Sequence, residues 1–76
     1  MDREFAAKVG RVIRDARVTA GYTQDAVAED AHISQGALSY YETGRRGITL
    51  ETFVLIAGLL HTEPVTLLSQ ALADAE

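Results

Sequence analysis

The 76-residue chain contains no cysteine. Neither a disulfide nor a thiolate-bound metal can therefore hold it together, an absence that suits a reducing, cytoplasmic setting. A long apolar run is also missing. The longest stretch, Phe53 to Leu60, is far too short to span a bilayer, so no membrane partner is expected. The opening Met1 to Lys8 mixes charges of both signs, unlike a secretory signal. Proline occurs once, and no repeat, low-complexity tract or linker interrupts the chain. There is no excess of positive charge either. The net charge is −4, which counts against nucleic-acid binding if the charge is spread evenly.

What is present fits one compact domain, 1–76, with no room for a second. Hydrophobic residues make up 47%, enough for a globular core and too many for a disordered tail. A chain this short buries only roughly 60% of the surface its unfolded form exposes, so its stability margin is thin. The charge is not spread evenly. Lys8, Arg11, Arg14 and Arg17 recur at three-residue spacing, and Arg45 and Arg46 are adjacent. Acids gather elsewhere, at Asp25, Glu29 and Asp30 and again at Glu63, Asp74 and Glu76. Such a molecule can offer one positive face to a polyanion while its remaining surface repels it, which predicts weak non-specific binding and a larger share of affinity from specific contacts.

The apolar periodicity is helical throughout. Phe5, Val9, Val12, Ile13, Ala16 and Ala20 form one face of a segment from Arg3 to Ala20, which Gly21 stops. Thr23 caps a short second helix from Gln24 to about Ala31, with Val27, Ala28 and Ala31 inward. Ser34 caps a third from Gln35 to about Thr43, ended by Gly44. Thr49 caps a fourth, Leu50 to Leu60, with Phe53, Val54, Ile56, Ala57 and Leu60 as its core face. Pro64 suits the first turn of a fifth, since its missing N–H would be unpaired there. Glycines and the proline are read as punctuation between helices. The expectation is an all-α five-helix bundle in which a turn of about three residues joins the second and third helices, and that is helix-turn-helix geometry.

From Val9 to Leu68 the chain resembles the lambda-repressor and Cro family of helix-turn-helix domains, also called the xenobiotic-response-element family. The resemblance rests on Arg14-Asp15-Ala16-Arg17 with Gly21-Tyr22-Thr23-Gln24, on Ile33-Ser34-Gln35, on Leu38 through Arg46, and on Ile48 through Phe53, in that order and spacing. It implies that the third helix lies in the major groove, where each base pair shows a distinct donor and acceptor pattern. Leu38 and Tyr41 then face the core, and Gln35, Gly36, Ser39 and Tyr40 face base edges. Gln35 is the foremost reader, because its amide can donate to N7 and accept from N6 of adenine. Gln24 matches a glutamine that braces this reader and touches phosphate. Thr23, Gln24, Ser34, Thr43, Arg45, Arg46 and Arg14 form the expected phosphate set, helped by N–H groups at the starts of the second and third helices. Arg17 and Glu42 match positions that pair within the family.

The chain departs from the family pattern at His32 and His61, which stand where glycine is usual; histidine tolerates positive φ at some cost. Gly36 offers no side chain to a base, and Tyr40 is less usual than a polar or basic reader. Blander readings stand beside several of these roles. The stripe from Lys8 to Arg17 could be a solvated helix face, and the histidines are backbone caps sooner than metal ligands, no Cys or acid being placed to complete a site. Ser34 and Ser39 are explained by capping and surface exposure, not nucleophilic chemistry. No cofactor, metal or catalytic residue is expected.

Helix four is apolar on nearly all sides, since Leu55 and Leu59 add to its core face. This predicts a two-fold homodimer using Leu55, Leu59, Val65, Leu68 and Leu72; the competing reading is that the fifth helix covers the patch. The functional expectation is a regulator, chiefly a repressor, that binds a pseudo-palindromic operator on double-stranded DNA and associates with the nucleoid when bound. Phage repressors, restriction–modification controllers and toxin–antitoxin regulators all use such domains. The alternative is a protein-interaction module, an antitoxin or adaptor with a protein partner. An enzyme is the third class, and no nucleophile–base pair or metal set supports it.

Overall fold

The computed structural model describes residues 2–73 of the chain; the acids Asp74 and Glu76, and the two ends of the expected 1–76 domain, lie outside them. Within these residues the chain forms α1 (Arg3–Ala20), α2 (Gln24–Asp30), α3 (Gln35–Thr43), α4 (Leu50–Leu59) and α5 (Pro64–Ala73). The termini explain the agreement with the periodicity. Asp2, Thr23, Ser34 and Thr49 each cap a helix, accepting the N–H of Glu4, Ala26, Ala37 and Thr52 respectively.

The C-terminal ends of α1 to α4 share one device. Gly21, His32, Gly44 and His61 all have positive φ, of 84°, 58°, 77° and 58°. In each case the next residue's N–H reaches back to a carbonyl five residues earlier: Tyr22 to Arg17, Ile33 to Ala28, Arg45 to Tyr40 and Thr62 to Ala57. This is the Schellman arrangement, which satisfies carbonyls the helix leaves unpaired. The histidines thus occupy the same left-handed position as the glycines, at the cost of a Cβ clash that glycine avoids.

The core draws one large, fully buried side chain from each of four helices: Ile13, Leu38, Ile56 and Leu67. Val9, Val12, Val27, Ala28, Ala31, Ile48, Phe53, Ala57, Leu60 and Ala71 complete it. The long α1 packs on both α3 and α5, while α2 packs on α3 and α4. Two glycines set the α1–α3 spacing. A Cβ on Gly10 would collide with the Tyr41 carbonyl oxygen and lie 2.8 Å from that of Glu42, so the α1 backbone rests directly on that of α3. A Cβ on Gly44 would come within 2.6 Å of the Ala7 Cα. These contacts hold the third helix at a fixed height above the first.

Several expectations need correcting. Ala20 is exposed, because the last turn of α1 borders an open cleft shared with Leu60, Leu67 and Gln70. Val54 is 47% exposed: the buried stripe of α4 runs through Phe53, Ile56, Ala57 and Leu60, and Val54 falls beside it. Glycine is also more than punctuation, since Gly10, Gly36 and Gly58 lie inside helices. Among the described residues no single helix is long and apolar enough to cross a membrane, and α4 turns through 110° into α5.

Candidate nucleic-acid interface

The site grows from a buried ion pair. Arg17, in the last turn of α1, donates from Nε to Glu42 Oε2 at 2.7 Å and from Nη2 to Oε1 at 3.1 Å. Its Nη1 donates to the Tyr22 carbonyl at 2.8 Å. The side chains are only 11% and 1% exposed, so this is a desolvated bidentate pair and not a surface bridge. Arg17 therefore leaves the expected basic stripe and turns inward, tying α1, the α1–α2 turn and α3 together.

Glu42 also orders the surface above it. An ionised carboxylate can only accept hydrogen bonds. Gln24 must therefore present its amide nitrogen, and Nε2 donates to Glu42 Oε1 at 2.9 Å. The carbonyl of Gln24 is left pointing away, and it accepts from Gln35 Nε2 at 3.3 Å. Gln35 in turn keeps its own carbonyl and a second N–H for solvent. That remaining pair, one acceptor beside one donor, is the complement of the adenine major-groove edge. The ion pair in the protein interior thereby sets the amide orientation at the exposed start of α3.

The other expected readers occupy the same helix. Gly36 is exposed with only the Ser34 Oγ near its missing Cβ, at 3.9 Å. Ser39 is half-buried, Tyr40 is exposed, and Leu38 and Tyr41 turn inward as expected, Leu38 fully and Tyr41 in part. The capping hydroxyls of Thr23 and Ser34 accept from N–H groups at 3.1 and 3.0 Å, which leaves their own protons free to donate outward. Thr43 differs. Its hydroxyl donates to the Ser39 carbonyl at 2.9 Å, so in this arrangement it offers a phosphate no proton.

Arg45 and Arg46 are exposed beyond Gly44, and Arg14 is exposed on α1, where it lies 3.8 Å from Asp15. The first turn of α3 carries no acid, whereas that of α2 carries Asp25. The start of α3 is accordingly the better of the two toward an anion. Sequence reasoning missed two features here, the Glu42–Gln24 hydrogen bond and the position of both arginines over the Tyr40 ring.

On another side of the molecule, Leu50, Val54, Leu55, Val65, Leu68 and Leu72 are exposed on α4 and α5. Phe5, Val9, Ile48, Leu50, Phe53 and Leu68 line an apolar groove of about 180 Å³. Leu59 behaves differently from the rest of the expected apolar set. It is half-buried against the core and borders a cleft with Tyr22, Ala26 and Val27 of the α1–α2 region.

A sequence profile of the helix-turn-helix family matches residues 13–67. The fold is similar to the crystal structure of the clp gene regulator ClgR from Corynebacterium glutamicum, with TM-score 0.91 and 25% identity over 95% of this chain and 94% of that one. It is similar also to the restriction-modification controller protein C.AhdI from Aeromonas hydrophila, with TM-score 0.77 and 26% identity over 82% of this chain and 94% of that one. The wild-type controller C.Esp1396I shares the fold at TM-score 0.82 and 24% identity, covering 93% of each chain. A search of curated proteins finds no match.

Proposed function

Because the chain belongs to the Cro/C1-type helix-turn-helix family of DNA-binding transcriptional regulators, we propose that it acts as a homodimeric repressor on a pseudo-palindromic operator. The family works by binding and not by catalysis. The observation that carries this reading is the chain of hydrogen bonds from Arg17 through Glu42 and Gln24 to Gln35. A surface glutamine whose free donor and acceptor are fixed before binding loses little freedom when it meets a base edge. Gln35 is the principal reader, Ser39 lies along the same groove-facing side, and Gly36 lets the backbone approach. Arg45 and Arg46, with Arg14, Thr23, Gln24 and Ser34, supply the phosphate contacts.

Dimerisation follows from the apolar surface of α4 and α5. Leu55, Val65, Leu68 and Leu72 are exposed on two consecutive helices, and Val65, Leu68 and Leu72 fall at helical spacing on one face of α5, an arrangement suited to association. A second copy related by a two-fold axis covers it isologously. Leu50 and Val54 extend the patch, and Leu59 serves the protomer's own packing more than the contact. Two recognition helices so related read half-sites about one helical turn, or roughly 10–10.5 base pairs, apart. The dimer would be controlled through protein concentration or a partner.

Two variants test the surface. Gln35→Ala should cost about 1–3 kcal/mol, concentrated at one base pair per half-site. Arg46→Ala should weaken all sequences alike and lower the salt dependence by about one counterion per subunit. If both variants bind DNA like the wild type, this face is not the DNA surface, and the fold serves to grip a protein partner instead.

A further inference from the structure

We propose that Tyr40 is a positioning residue whose ring holds Arg45 and Arg46 ready for the phosphate backbone. The proposal rests on the reading of this face as a DNA surface. Tyr40 sits in the later part of α3 with 43% of its surface exposed. The guanidinium carbons of Arg45 and Arg46 lie 6.0 and 5.7 Å from its ring centroid. The main chain makes this possible. Gly44 reverses the chain at φ 77°, and the Tyr40 carbonyl then accepts the N–H of Arg45 at 2.9 Å and of Arg46 at 3.3 Å. One residue therefore holds both arginines twice, by its carbonyl and by its ring.

The arrangement has a physical purpose. Two adjacent guanidinium groups repel each other, and an exposed arginine gives up much rotamer entropy when it binds. A ring quadrupole attracts both cations and restricts both side chains before any partner arrives. Among the described residues neither arginine is ion-paired with a carboxylate, so their charge stays available to an outside anion. A ring that two guanidinium groups approach to 6.0 and 5.7 Å has less of its surface free for a base. This assigns Tyr40 a part in affinity and not in sequence discrimination.

The test uses the full chain and five forms of it: wild type, Tyr40→Phe, Tyr40→Ala, Arg45→Ala with Arg46→Ala, and the triple variant. In the free protein, NMR should find the Arg45 and Arg46 side-chain protons shifted upfield by the ring in wild type and Tyr40→Phe, and unshifted in Tyr40→Ala. Binding is then measured to a random-sequence duplex and to a duplex selected on the wild type. Tyr40→Phe should bind both within about twofold of wild type, and Tyr40→Ala should weaken both by the same factor, about three- to tenfold. In the background lacking both arginines, Tyr40→Ala should change nothing further. Loss confined to the selected duplex would overturn the proposal in favour of base reading. Loss that persists without the arginines would mean that Tyr40 touches DNA itself, and loss in Tyr40→Phe would assign the effect to its hydroxyl. A wild type that binds neither duplex would defeat the DNA reading of the whole face, a failure the ring shifts of the free protein would separate from failure of the platform.

Discussion

Replacing Glu42 with alanine removes three hydrogen bonds at once, two from Arg17 and one from Gln24. Arg17 is left almost wholly buried with the Tyr22 carbonyl as its remaining partner. Removing one member of such a pair typically costs about 3–5 kcal/mol, since the survivor's charge is uncompensated. At roughly 0.05–0.15 kcal/mol per residue, a domain of this length has about 4–11 kcal/mol in total. The variant should therefore lose a large fraction of its stability, with Tm falling by roughly 15–30 °C. Urea unfolding followed by circular dichroism measures this directly. Two controls separate charge from packing. Glu42→Gln keeps the shape but not the charge, and its NH2 must face a donor now held by a carboxylate oxygen, so it should lose nearly as much as Glu42→Ala. A combined Arg17→Met and Glu42→Leu variant should recover much of the loss, because two apolar groups need no partner. A Glu42→Ala protein that melts within a degree of wild type would show that the buried pair contributes nothing to stability.

Other consequences concern the backbone and the apolar surface. His61→Gly should stabilise the fold by about 0.5–1 kcal/mol in urea titration, by removing a left-handed Cβ; a loss instead would show that the 3.4 Å contact between His61 Nε2 and the Tyr22 hydroxyl outweighs the strain. Gly10→Ala should cost at least about 2 kcal/mol, because the new methyl must push α1 away from the α3 backbone. Val65→Glu with Leu72→Glu should leave helical dichroism in place while sedimentation changes from dimer to monomer. A wild-type protein that sediments as a monomer at tens of micromolar would remove the dimer from the account.

Much of the fold was legible because α1 to α4 each start on a capping side chain and each stop at a residue fit for positive φ. Such local signals act through the nearest few residues and survive any tertiary context. The Arg17–Glu42 pair was legible through the family resemblance, 25 residues apart in sequence. What escaped was set by packing between helices. Gly10 gave a signal that could have been used, since glycine inside a helix is costly without a reason, and here the reason is the touching backbones of α1 and α3. Val54 and Ala20 were misplaced because helical periodicity gives a face about a third of the circumference wide, and only the neighbouring helices decide where its edges fall. The stop at Gly44 was legible, but the placement of the Arg45 and Arg46 side chains over the Tyr40 ring was not, since it depends on side-chain conformations that spacing does not fix.

Operator recognition by α3 is best measured by selecting random duplex DNA on the purified protein at about 150 mM salt, where non-specific phosphate contacts are weak. A homodimer of this kind should enrich a two-fold motif whose half-sites lie one helical turn apart, with an adenine opposite Gln35 in each. Recovery of unenriched DNA by a protein shown to be folded would contradict operator recognition by α3.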